Sequence, residues 1–316
     1  MCLIRHAELA DYAAIAAIMT LTKPEPYSAE EVRKSDERQQ ADPTQILHRL
    51  VAVAPDGRVV GYGYSERQPW EPEGRWGVTA ATHPDERGRG VGTAMLTAAE
   101  SIAREGGATE IMAWCLGTDD ASFAWAQRKG YTLKRQRTES VLDVQKFDPA
   151  RFAGACDRVR AGGLTLALYE GKQVSEPLLR QIYDLDRVTT PDIPVWDAGM
   201  NFPAWEQYRK EWTECPDAFI VALALDGDRV VGMSAVYFSA TPGKSAGVGF
   251  TGVYREYRGR GIALAVKLMT IEEAMRRGVP RMRTHNDPDN PPMLAVNVKM
   301  GFVFVPGPRQ LIKALQ

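Results

Sequence analysis

Three short motifs recur along this chain in a single register, and nothing else in the sequence restricts its fold as much. Asp56-Gly-Arg-Val-Val-Gly61 returns as Asp226-Gly-Asp-Arg-Val-Val-Gly232, Arg87-Gly-Arg-Gly-Val-Gly92 as Arg258-Gly-Arg-Gly-Ile-Ala263, and Gly130-Tyr131 as Gly301-Phe302. Gly61 and Gly232, Arg87 and Arg258, and Gly130 and Gly301 all stand 171 residues apart. Chance repeats one glycine-rich hexamer but not three motifs in step, so the chain is a duplicated domain. Its 316 residues give each copy enough length for a core of its own.

The hydrophobic periodicity reads alike in both copies. In the first, a strand and an amphipathic helix over Ile4–Met19 lead to a strand at Ile46–Ala54. The Asp56-Gly57 turn makes a hairpin with Arg58–Tyr64. A strand at Trp76–Thr82, a helix at Val91–Glu105, a strand at Glu110–Leu116 and a helix at Ala121–Lys129 follow, with strands again from Tyr131. The second copy repeats this series from Leu164 to the strand at Phe302–Val305. Pro149 opens and Gly162-Gly163 closes a short helix between the copies. The expectation is an α/β (α+β) protein with domains at 1–146 and 164–316 and a linker at 147–163.

Composition narrows the function. A net charge of −1 gives no electrostatic reason for nucleic acid binding. Cys2, Cys115, Cys156 and Cys215 form no C-x-x-C pair, and His6, His48, His83 and His285 form no helical H-x-x-x-H, so neither a metal site nor a disulfide framework is expected. The run Phe219–Leu225 is too short to span a bilayer, and a charge stands too early for a signal core. A cytoplasmic protein, monomer or homodimer, is expected.

The sharpest chemical feature is a strand, a turn and R-G-R-G running straight into a helix, present twice. Glycines bring the backbone close to a ligand, and the helix start offers unpaired N–H groups with about half a positive charge. Arg87, Arg89, Arg258 and Arg260 add full charges, making a cradle for a pyrophosphate. Neither copy has the G-K-[ST] of a P-loop, and G-x-G-x-G in mid-domain is not the Rossmann fingerprint. A glycine-rich turn without a ligand explains one such loop; two loops with matched arginines point to a ligand.

These residues resemble the signature of the GNAT superfamily of N-acetyltransferases. Its [QR]-x-x-G-x-[GA] pattern is met by Arg87, Gly90 and Gly92 and by Arg258, Gly261 and Ala263, and the helices ending in Gly130-Tyr131 and Gly301-Phe302 resemble its second hallmark. The second half is further similar to tandem bacterial members, with Thr251-Gly252-Val253 before the loop and N-x-x-M-x-x-x-N-x-x-x-G-F from Asn290 to Phe302. The resemblance implies, in each half, a mixed, mostly antiparallel sheet flanked by helices and splayed between its fourth and fifth strands. Acetyl-CoA would lie in the splay. Its pantetheine would pair with backbone near Thr82 and Val253, and its pyrophosphate with Arg87, Gly88, Arg89, Gly90, Val91, Gly92 and Thr93 or with Arg258, Gly259, Arg260, Gly261, Ile262, Ala263 and Leu264.

Acetylating an amine requires removing a proton from an ammonium of pKa ~10.4, which at pH 7 costs about 4.6 kcal/mol. A carboxylate or histidine supplies the remedy, and N–H groups on a bulged fourth strand would hold the oxyanion. The family's general-acid Tyr is replaced by Ala126 and Asn297, and its fourth-strand Glu is missing from both copies, so the family's usual acid and base do not carry over. His285, Asn286, Asp287, Asn290 and Asn297 cluster in sequence in the second half. Asn290 and Asn297 are candidate coenzyme A contacts; Asn286 and Asn290 also fit as helix caps, and Asn297, a poor helix former among apolar neighbours, is expected to contact pantetheine. His285 and Asn297 are the candidate catalytic residues, joined by Asp192. Asp192, Trp196 and Asp197, in the segment after the second copy's first helix, are candidate acceptor contacts for a cationic amine. Trp205 and Trp212, seven apart on one helix, read as core. The expected function is acetyl transfer from acetyl-CoA to a primary amine of a small molecule, a metabolite or an antibiotic, in the second half. A CoA-binding sensor or scaffold without turnover, and aminoacyl transfer from charged tRNA, are the rivals.

Overall fold

The computed structural model describes residues 2–193, 200–214, 219–286 and 288–315, and their contacts gather into two units. Unit 1 runs through Arg137 and includes a short segment ending at Asn201 and the chain from Pro306 on. Unit 2 holds the described residues from Thr138 to Ile193 and Phe202–Val305. No described helix is long and apolar enough to cross a membrane.

Unit 1 comprises β1 (Leu3–His6), α1 (Tyr12–Thr22), α2 (Ala29–Gln40), β2 (Ile46–Val53), β3 (Val59–Arg67), β4 (Arg75–Thr82), α3 (Val91–Glu105), β5 (Glu110–Cys115) and α4 (Asp120–Arg128). Strands β1 to β4 pair antiparallel in chain order, and β4 meets β5 in parallel. Strand β6 (Thr132–Asp143) begins in unit 1 and ends in unit 2. Unit 2 continues with α5 (Ala155–Ala161), β7 (Thr165–Glu170), α6 (Glu176–Thr189), α7 (Trp205–Glu214), β8 (Phe219–Asp226), β9 (Arg229–Tyr237), β10 (Ala246–Val253), α8 (Ile262–Arg276), β11 (Arg281–Asn286) and α9 (Pro291–Lys299). Strands β7 to β10 pair antiparallel, β10 and β11 in parallel.

The last strand, β12 (Val303–Ala314), departs from the order expected of two consecutive domains. Its residues Arg309–Ala314 run antiparallel to Cys115–Glu110 of β5, in unit 1. Residues Thr138–Asp143 of β6 run antiparallel to Asn286–Arg281 of β11, in unit 2. The contacts therefore divide the chain elsewhere than at the 147–163 joint. A β-ladder demands an open edge and alternating side chains, not a neighbour in sequence, and Leu311 enters the unit 1 core as readily as a local residue would.

Each sheet is covered on both faces, and strand alternation decides which residue goes where. In β2, Leu50 and Ala52 pack with Met95 and Ala99 of α3, while Val51 packs with Ile15 and Ile18 of α1. In β8, Ala222 and Ala224 pack with Ala265 and Val266 of α8, while Val221 and Leu223 pack with Leu179 and Ile182 of α6. Each fully buried Val, Leu, Ile or Met side chain contributes about 1.5–3 kcal/mol. Gly63 lets α3 lie close to its sheet, since a Cβ there would come within 2.9 Å of the Met95 side chain.

Both units open where the resemblance implies. The β4–β5 pairing runs from Arg75↔Glu110 to Val78↔Ala113, while β4 continues along β3 to Thr82. The β10–β11 pairing holds at Ala246↔Met282 and Gly247↔Arg283, while β10 continues along β9 to Val253. The units differ at this point, because β10 shifts register between Val248 and Thr251, a bulge, whereas β4 follows β3 without a shift.

Candidate active site

The two glycine loops are built alike. Gly90 and Gly261 cap α3 and α8 with φ of 83° and 79°, and Gly88 and Gly259 also have positive φ. A Cβ on any of the four would meet no atom within 4 Å. The loop backbone therefore faces open space at a helix start, which fits a pyrophosphate. Val91 and Ile262 bury their side chains in the cores, anchoring the first helical turns and leaving their backbone at the loop. Gly92 lies where a Cβ would approach the Thr82 hydroxyl to 3.2 Å.

The arginines are not equivalent. Arg258 Nε donates to Val253 O at 3.0 Å and its Nη2 to Asp192 Oδ2 at 2.6 Å, and Arg255 bonds the same carboxylate. These two guanidinium groups hold Asp192 down at about 2. Arg260 stacks over the Tyr257 ring at 5.0 Å, and Arg89 pairs with Glu86 at 2.8 Å. Asp192 was expected to hold an amine or take part in catalysis. Instead it is turned onto Arg255 and Arg258 at the glycine loop, where its charge is already matched. Trp196, Asp197 and Asp287 lie outside the described residues.

Asn297 also departs from expectation. It is fully enclosed, and all its polar atoms are used within the protein. Its Oδ1 accepts from Lys267 Nζ at 2.8 Å, and its Nδ2 donates to Asn286 Oδ1 at 2.7 Å and Ser140 Oγ at 3.3 Å. A contact to pantetheine is not available to it in this arrangement. Burial draws the Lys267 ammonium down to about 8. Asn290 caps α9, its Oδ1 accepting from Met293 N at 3.4 Å. His285 is half-exposed and lies 3.6 Å from Glu139 Oε1, an oxygen that also accepts from Arg283 Nε at 2.6 Å. As neighbours on one strand, His285 and Asn286 face opposite sides of the sheet. The three candidate catalytic residues, His285, Asn297 and Asp192, thus stand in three separate places. Trp212 is buried in an aromatic cluster with Tyr208 and Phe219, and Trp205 packs against that cluster, as core residues do.

A residue the sequence reading passed over stands on α6 beneath α7. Asp186 of α6 accepts from Thr190 Oγ1 at 2.7 Å and from Tyr208 Oη at 3.1 Å, and burial pushes its carboxyl up to about 6. The signal was present: Leu179, Ile182, Asp186 and Thr189 fall on one helical stripe, so a carboxylate occupies a core-facing position. In unit 1 the comparable buried acid, Asp36, also accepts from a tyrosine, Tyr12, at 3.0 Å, but it is neutralised by Arg49 at 2.6 Å.

The family model described as "Acetyltransferase (GNAT) family" matches residues 12–131 and again 179–302. A mycothiol acetyltransferase of Nocardiopsis dassonvillei is 26% identical over 278 residues, covering 79% of this chain and 77% of that protein. One of Rhodococcus opacus is 24% identical, covering 81% and 79%. Among solved structures, a tandem GNAT protein from the clavulanic acid biosynthesis pathway superposes with a TM-score of 0.80 at 21% identity, over 99% of this chain and 98% of that one. A GCN5-related N-acetyltransferase from Sphaerobacter thermophilus gives 0.71 at 20% identity, over 99% and 95%. With one family model matching both repeats over most of its length, the chain belongs to the acetyltransferase (GNAT) family and carries that fold twice.

Proposed function

We propose that this acetyltransferase moves an acetyl group from acetyl-CoA to a primary amine of a small molecule, and that unit 2 carries out the transfer. The observation that carries the assignment is the β10 bulge between Val248 and Thr251, at the opening beyond Gly247 and ahead of an intact glycine loop. A bulge frees backbone N–H groups from the ladder, and such donors suit a developing oxyanion. The β4 strand of unit 1 stays in register with β3 and has no bulge at its opening. Acetyl-CoA supplies the activated acyl group. Gly259, Gly261 and Ile262 would meet its pyrophosphate through backbone, with Arg258 and Arg260 supplying charge, and the corresponding unit 1 loop offers a second place for it. The relatives named for mycothiol, a small molecule, favour a small acceptor over a protein. The test is release of free thiol from acetyl-CoA over a panel of primary amines. If no amine raises release above the rate with acetyl-CoA alone, the reading is wrong.

A further inference from the structure

We infer that Asp186, held by Tyr208 on the face of α6 turned toward the bulged strand, is the base that takes the proton from the acceptor amine. This rests on the transfer reading above and adds the group which that reading leaves unassigned. Helix α6 packs against β9 and β10. The Thr189 hydroxyl lies against Gly252 of β10, where a Cβ would sit 2.7 Å from it. Tyr237 of β9 covers Gly249 inside the bulge, where a Cβ would come within 2.4 Å of its ring. Tyr208 stands between, bonded to Asp186 and close enough to Tyr237 for that phenol to oppose the ionisation of Tyr208. Asp186, Tyr208, Tyr237 and the bulge therefore share one side of the sheet.

The other buried or paired acids of this unit are unsuited to the task. Glu139 pairs with Arg283, Glu170 with Lys172, Asp192 with Arg258 and Glu273 with Arg276. A carboxylate matched by a cation is a weak base. Asp186 has only hydroxyl donors among the described residues, Thr190 at the end of its own helix and Tyr208 from α7, with Tyr237 of β9 beyond. Strand β10 carries no titratable residue. On the same helix, Asp184 and Arg187 pair with each other at 3.6 Å, and Arg180 stacks over Trp205 at 3.9 Å. Burial without a cation leaves Asp186 ionised at neutral pH yet more basic than an ordinary carboxylate, and keeps Tyr208 protonated as its donor.

The proton balance closes. An ammonium gives one proton to Asp186, directly or across the Tyr208 hydroxyl, whose own proton passes to the carboxylate. The amine nitrogen then bonds the acyl carbon as the carbon–sulfur bond breaks, its second proton goes to the departing sulfur, and Asp186 returns its proton to water.

Asp186→Asn keeps the size of the side chain and an oxygen for Tyr208 but cannot take a proton. With acetyl-CoA and a panel of glucosamine, cysteamine, spermidine and benzylamine, kcat/KM for the best amine should fall about 100-fold or more. Acetyl-CoA affinity by calorimetry should hold, and the acid limb of the wild-type profile near pH 6 should vanish. Asp186→Glu should recover part of the rate. A variant that keeps more than about a third of kcat/KM, with its acid limb intact, overturns the assignment and leaves Asp186 as a tie between α6 and α7. The Asp186 carboxyl, followed by carbon NMR in the folded protein, should titrate near 6, and titration below about 4.5 also overturns the assignment. Wild type inactive on every amine would instead defeat the transfer reading, and the titration would still decide whether Asp186 is a base.

Discussion

The ammonium of Lys267 donates to the amide oxygen of Asn297 across 2.8 Å, and both side chains are sealed inside unit 2. The chain extends through Asn286 to Ser140 on β6. At the corresponding places unit 1 has Leu96, Ala126, Cys115 and, by strand register, Leu311, all packed in its core. The exchange also runs the other way. Glu100 of unit 1 accepts from Lys313 at 2.9 Å and Tyr131 at 2.9 Å, where unit 2 has Ile271, Leu142 and Phe302. Duplication kept the fold, while buried polar groups at these positions in one copy are replaced by apolar ones in the other.

Lys267 gives stability a measurable pH dependence. Below pH 8 both native and unfolded chains hold its proton, and the cost of burying the charge is present in full. Between about 8 and 10.5 the native chain has shed the proton and the unfolded chain has not, so stability rises with pH. From pH 7 to 9.5 the gain from this group is about 2 kcal/mol. Urea unfolding of wild type and Lys267→Met at both pH values checks this, and an equal change in the two proteins would refute it.

Acetyl-CoA should report on the glycine loops. A side chain on Gly261 fills the open space over the loop and adds the strain of a positive φ, about 1–2 kcal/mol. Gly261→Val should weaken acetyl-CoA binding about tenfold or more and abolish turnover, while Gly90→Val should leave turnover within about twofold. Calorimetry, steady-state rates and a melting curve for each variant decide. Turnover lost with Gly90→Val instead would move the active site to unit 1.

Asp192→Asn separates two roles. As a carboxylate shared by Arg255 and Arg258 it would compete with the phosphate of bound acetyl-CoA for the same guanidinium groups, so its removal should tighten acetyl-CoA binding about two- to fivefold, with kcat unchanged. A collapse of kcat with affinity unaltered would return Asp192 to the catalytic list.

Glu100→Gln removes the counter-charge of Lys313 within unit 1. With the ammonium left in a part-buried site, the loss should be about 2–4 kcal/mol in urea unfolding. A change below about 0.5 kcal/mol would mean that Lys313 reaches water at no cost.

The duplicated fold, the two glycine loops and the caps at Asn290 and Gly261 were legible because each is local chemistry, a glycine at positive φ or an amide oxygen one turn from a free N–H. His285 and Asn297 stand close in sequence, with Asp192 in the separate segment after α6, and strand alternation and long-range pairing set the three apart. Asn286 and its neighbour His285 face apart, Asn297 is spent on a lysine thirty residues away, and Asp192 is drawn to the loop arginines. Asp186 was visible as an acid on an apolar stripe, but only the fold shows Tyr208, brought over by α7, bonded to it and no cation beside it among the described residues. By itself the sequence determined two copies of one fold and the loops that suit a pyrophosphate. Tertiary structure decided which strand completes which sheet and which polar groups are buried together, because a β-ladder accepts any strand of matching alternation and a buried charge takes its partner from whatever the fold packs beside it.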